Sequence, residues 1–158
     1  MKVSERLRRM SLRQLLNLTF LFLRNPLLAF PAYTATVQTF RICNKHFGKL
    51  HHGNGIENAY RHALWNALIC KNSSKFIKND QKLAEWTQKL TDLYEKITKN
   101  DPLDKAMDLH NNAIGRKLYL EQKSSNLEES LMKMTENGVK ITKIESISDF
   151  PNRLVYIS

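Results

Sequence analysis

Two short stretches of the chain combine a histidine or a carboxylate with asparagines at helical spacing. In residues 57–70 the group is Asn58, Arg61, His62, Trp65 and Asn66. At roughly 100° per residue, with His62 at zero, Asn58 lies at about −40° and Asn66 at about +40°, one turn to either side. Trp65 and Ile69 border this stripe, while Tyr60, Leu64, Ala67 and Leu68 cover the opposite side. A helix apolar on nearly all sides belongs at the centre of a fold, and a buried Asn-His-Asn stripe then needs hydrogen-bond partners.

Residues 101–116 can supply them. With Asp108 at zero, roughly 100° per residue places Asp104 at about −40°, Asn112 at about +40°, Asn111 at about −60° and Gly115 at about −20°. Arg116 follows near about +80°, and Leu103, Met107, Ile114 and Leu118 form the adjoining apolar face. Packed together, the two helices would set His62 against Asp108, with Asn58, Asn66, Asn111, Asn112 and Arg116 around them. Gly115 on the same stripe would let a backbone or a ligand approach closely. His110 falls on the far side of its helix and is left out. Arg61 and Glu57, four residues apart, read as a helix-surface pair.

In a hydrolase this arrangement would make Asp108 the group that orients His62 and raises its basicity, with His62 taking a proton from water. Asn58, Asn66, Asn111, Asn112 and Arg116 would then bind substrate, holding an anionic or carbonyl group. No metal or other cofactor is assigned: His62 and Asp108 are two sure ligands, too few for a zinc site, although His51 or His52 in the preceding loop could add one. Covalent catalysis finds no support, since Cys70 sits about 80° around the helix from His62 and no nucleophile-elbow motif occurs. The same residues also suit a satisfied polar network that fixes how two helices pack.

The strings around these residues, Asn58 to Asn66 and Asp108 to Arg116, resemble a family of bacterial domains of unknown function. That family carries an N-A-x-R-H-A-x-W helix followed by a D-x-x-N-N-x-x-G-R helix, in short stand-alone proteins and at the ends of toxin-like ones. The resemblance covers about a third of the chain, implies that the two helices pair, and brings no reaction with it.

The elements that must position these groups are mostly helices. Apolar residues of 33–47 predict a second helix closed by Gly48, and the glycines up to Gly55 predict a loop. A third helix is expected over 56–71 and a fourth from residue 79 or 80, with Leu83, Trp86, Leu90, Leu93, Tyr94 and Ile97 in a three-four rhythm. Asn100-Asp101-Pro102 predicts the start of a fifth helix reaching about Glu121. A capping-box pattern from Ser125 to Glu128 opens a sixth, ended by Asn137-Gly138. Val139–Ile144 and Arg153–Ile157 read as a short C-terminal β-hairpin. The fold class is therefore mainly all-α, about six helices in one bundle-like domain over 32–158, preceded by a basic amphipathic segment over 1–31.

Charge separates these two parts. The 158-residue chain carries a net +10, of which +8 falls on residues 1–52 with Glu5 as the one acid there; the remainder is nearly balanced. Within that region the longest apolar run is short, interrupted by Asn17 and Thr19 and ended by Arg24, and does not suffice for a spanning helix. Arg24 and two prolines count against a secretory signal. A basic helix with an apolar face suits an anionic membrane surface; a first core helix with its cations in water is the other reading. No base-reading motif is present and the cations are not spread around a cleft, so nucleic acid is not an expected partner. Two cysteines without metal-type spacing suggest a reducing compartment, hence the cytoplasm and the inner face of its membrane. The expectation is a hydrolase acting on a membrane-associated or anionic substrate; the alternative is a peripheral membrane or partner-binding protein whose polar network is structural.

Overall fold

In the computed structural model, residues 12–97, 101–123 and 126–158 are described. The helices run α1 Leu12–Arg24, α2 Ala29–Phe47, α3 Ile56–Ser73, α4 Asp80–Ile97, α5 Pro102–Gln122 and α6 Leu127–Glu136. Short 3-10 turns occupy Pro26–Leu28, Leu50–His52 and Glu145–Asp149. Lys2, Arg6, Arg8, Arg9, Asn100 and Ser125 lie outside the described residues.

The element boundaries follow local chemistry. Asp101 caps α5 by accepting from the Leu103 amide at 2.8 Å, and Pro102 follows where a missing N–H costs nothing. Gly48 ends α2 at φ +58°, a conformation glycine adopts without steric penalty. α2 begins four residues before the expected start and takes in Pro31, because the first helical turn has no intrahelical partner for its N–H groups. The division between residues 31 and 32 thus falls inside a continuous helix.

α3 is the central helix, packed against α2, α4, α5 and α6. Ala59, Tyr60, Ala63, Leu64, Ala67 and Ile69 are fully enclosed, as expected for a helix apolar nearly all round. The approach of α5 is especially close: a Cβ added to Gly115 would lie 1.9 Å from the Ala63 carbonyl oxygen. Gly115 therefore serves backbone-to-backbone packing.

The C-terminal strands are present but do not form a hairpin. β1 (Val139–Lys140) and β2 (Val155–Tyr156) pair in parallel, Val139 opposite Val155. Two strands joined by a tight turn must run antiparallel, whereas the long connection here, with its 3-10 turn, brings the chain back to the same end before β2 starts. A small second core of Met107, Ile141 and Val155 lies beneath this pair.

Candidate functional site

His62 of α3 and Asp108 of α5 do meet, with Nε2 and Oδ1 3.3 Å apart. The Arg61 guanidinium donates to the same Nε2 at 2.7 Å. Since arginine has no acceptor, Nε2 carries the lone pair and the ring proton resides on Nδ1. Nδ1 then donates to Asn112 Oδ1 at 3.2 Å, with Glu95 Oε1 of α4 at 3.5 Å. In a histidine base the orienting acceptor sits on the nitrogen opposite the one that takes a proton. That place belongs to Asn112 and Glu95, not to Asp108, which stands on the Nε2 side.

The asparagines tie the helices together. Asn66 donates from Nδ2 to Asn112 Oδ1 at 2.6 Å and to the His62 carbonyl at 3.1 Å. Its own oxygen accepts from Arg116 at 2.9 Å and lies 3.2 Å from the Thr91 hydroxyl of α4. Asn112 Nδ2 reaches Glu95 Oε1 at 3.4 Å. Burial lowers the Arg116 pKa, the nearby Asp92 charge opposing that shift.

Arg61 is buried rather than on a helix surface. It donates to the His51 carbonyl and to Asn58 Oδ1, while Asn58 donates to the Gly53 carbonyl. Arg61 and Asn58 thereby hold the 48–55 loop against α3, because a loop folded over a helix leaves carbonyls that only side-chain donors can satisfy. His51 is buried in that loop beside Asn44, with Nε2 and Oδ1 3.0 Å apart, and is not part of the His62 cluster.

Of the expected site residues, His62, Asp108, Asn66, Asn112 and Arg116 gather in one network, and Asn58 joins it through Arg61. Asn111 does not: its amide donates to the Val155 carbonyl at 2.8 Å and accepts from the Val155 amide at 3.0 Å, substituting for a neighbouring strand. His110 is engaged with the Arg153 carbonyl, away from the cluster. Glu95 was not anticipated, although one signal was present: Thr87, Thr91 and Glu95 follow one another at four-residue spacing along α4, and all three are buried.

His62, Glu95 and Asp108 each present a ligand atom within 4.8 Å of the others. The network is closed: His62 and Asp108 are each 4% exposed, Glu95 is 1% and Asn66 and Asn112 are fully covered. Cys43 and Cys70 lie apart from it as free buried thiols, pushed by burial up to about 12 and about 11.

The outer surface contrasts with this interior. Leu21 and Phe22 of α1 pack on the core, Phe22 edge-on to Trp86, while Leu16, Phe20 and Leu23 are exposed. α2 turns Ala32, Ala35, Thr39 and Cys43 inward and leaves Phe30, Tyr33 and Val37 in solvent. No helix among the described residues is long and apolar enough to cross a membrane.

Residues 19–143 match the family described as domain of unknown function (DUF6973). Comparison with curated proteins and with solved structures returns no match.

Proposed function

We propose, for a chain that belongs to the DUF6973 family of domains of unknown function, that it is a peripheral protein of anionic membrane surfaces, with the His62 network holding its helices in register. One observation carries this reading. Along α1, the following turn and α2, the large apolar side chains of Leu16, Phe20, Leu23, Leu27, Phe30, Tyr33 and Val37 are exposed, while the first half of α2 turns the small Ala32 and Ala35 to the core. An ordinary amphipathic helix does the reverse, and exposed apolar runs of this kind mark contact surfaces.

Charge supports lipid as the occupant. At roughly 100° per residue the exposed Arg41 and Lys45 continue the Phe30–Tyr33–Val37 face of α2, and no acidic residue occurs between Glu5 and Glu57. Each cation near an anionic surface contributes about 1 kcal/mol, roughly fivefold in affinity. The free cysteines agree with a reducing compartment, and so with the inner, cytoplasmic face.

The test is co-sedimentation with vesicles of phosphatidylglycerol and phosphatidylcholine beside phosphatidylcholine alone. Binding should require phosphatidylglycerol, weaken as salt is raised, and be lost in L23D and F30D variants that stay folded. Equal binding to both vesicles would overturn the proposal. So would concentration-dependent dimers abolished by F30D, which assign the face to a second copy of the chain.

Hydrolysis at His62 is a second reading, favoured by the meeting of His62 with Asp108 and Glu95 in one cluster. It requires substrate to reach a covered atom. The same vesicles test it: release of fatty acid or headgroup by wild type, absent in H62A, would place catalysis first, and intact lipid would remove it.

A further inference from the structure

We propose that His62, Glu95 and Asp108 form a binding site for one divalent transition-metal ion, of the zinc or manganese class, that clasps α3, α4 and α5 together. The three ligands come from three helices and converge in the interior, their donor atoms all within 4.8 Å of one another. Two ligands about 2.0–2.2 Å from one ion stand roughly 3–3.5 Å apart. The 3.3 Å from His62 Nε2 to Asp108 Oδ1 falls at that spacing, while Glu95 Oε1 stands 3.5 Å from the other ring nitrogen, Nδ1, and would close on the ion from there.

The surroundings suit a cation. Surface carboxylates gather often and mean little, but here two carboxylates are buried beside one imidazole, where attraction for a cation is least screened by water. The Arg61 guanidinium already stands 2.7 Å from His62 Nε2, so positive charge at this point is compatible with the packing. An ion held through Nε2 would displace Arg61 Nη2, which also bonds Asn58, while Nη1 would keep its bond to the His51 carbonyl. One imidazole and two carboxylates make a nitrogen-oxygen set, which selects zinc or manganese over copper(I) and over magnesium with its retained waters. With every ligand covered, the ion would be structural, as closed sites are.

The experiment uses the full chain, stripped with a chelator and dialysed, then titrated with Zn²⁺, Mn²⁺ or Mg²⁺ while melting temperature and bound metal are followed. One equivalent of Zn²⁺ or Mn²⁺ should bind and raise Tm by roughly 5–10 °C at a hundredfold excess over Kd, reversed by chelator. E95Q keeps the shape and an acceptor for Asn112 but removes a charge, and should abolish both the shift and the bound metal. H46Q, altering a surface histidine paired with Glu128, should change neither. Absence of bound metal and of any Tm shift in wild type would overturn the proposal. A shift of equal size in E95Q would also overturn it, by placing the ion elsewhere. If E95Q fails to fold, the wild-type stoichiometry decides, with D108N measured beside it.

Discussion

The α3–α4–α5 interior and the α1–α2 exterior divide their residue types in opposite ways. The interior encloses a histidine, two carboxylates, two guanidiniums and a chain of asparagines, whereas the exterior displays phenylalanines, leucines and a tyrosine to solvent. Groups in the interior are defined by one another: Asn66, Asn112 and Arg116 find partners on another helix, and Arg61 and Asn58 find theirs on the 48–55 loop. Groups on the exterior have no such need from the fold, since α2 packs through Ala32, Ala35, Ile42 and Phe47 and α1 through Leu21 and Phe22. The contrast teaches where to look for effects on stability and where for effects on binding.

The sharpest way to break the contrast is to cut the interior network. H62A would leave a void beside Glu95 and Asp108 and take a hydrogen-bond partner from both Arg61 and Asn112, and each buried polar group whose bonding is lost costs about 1–3 kcal/mol. Melting followed by circular dichroism should show that loss, and a smaller one for D108N. A variant melting at or above the wild-type temperature would instead reveal a strained site of the kind that function maintains.

Next in size is G115A. Its new methyl group would press on the Ala63 backbone, which cannot rotate aside, so α3 and α5 must separate. Overpacking of this kind costs about 3 kcal/mol, and the same melting measurement checks it. An unchanged Tm would mean that the helices are not held at this distance.

A smaller effect lies in the thiols. Both cysteines have folded values raised above 9.0, to about 12 and about 11, through burial. The unfolded chain therefore loses these protons first as pH rises. The stability they contribute is complete below about pH 9 and drains away between there and their folded values. Between about pH 8 and about pH 10.5 the Tm of wild type should fall more than that of C43A. At neutral pH both thiols should react with Ellman's reagent only as fast as the chain opens.

The smallest stability change belongs to the exterior. F30S, at a position 73% exposed, should move stability by no more than about 0.5 kcal/mol while weakening vesicle binding. A large loss of stability would show that this face is part of the core after all, and would dissolve the contrast.

Much of this division was legible in the residues themselves. Helix ends were set by Gly48, by Asp101 and Pro102, and by Asn137-Gly138, because caps and glycine turns are local chemistry. The pairing of His62 with Asp108 and the small residue between their helices could be read from angular position, since a stripe on each of two apolar helices has few ways to be satisfied. Glu95 could not: on an amphipathic helix an acid beside an apolar face is equally at home in water. Only the placement of α4 over α3 and α5 turned it inward. Arg61 resembled a surface partner of Glu57 until the 48–55 loop closed over it.

The strands show the same limit. Their β-branched residues marked where extended chain would occur, but whether two strands run parallel depends on the path between them, and Asn111 was drawn away to pair with that path's end. By itself the sequence determined the helices, their caps, the polar stripes and the basic first third of the chain with its single acid, Glu5, all properties of neighbours within a turn or two. Tertiary structure decided which polar groups share a site and which apolar groups stay outside, because burial is a property of what another element covers.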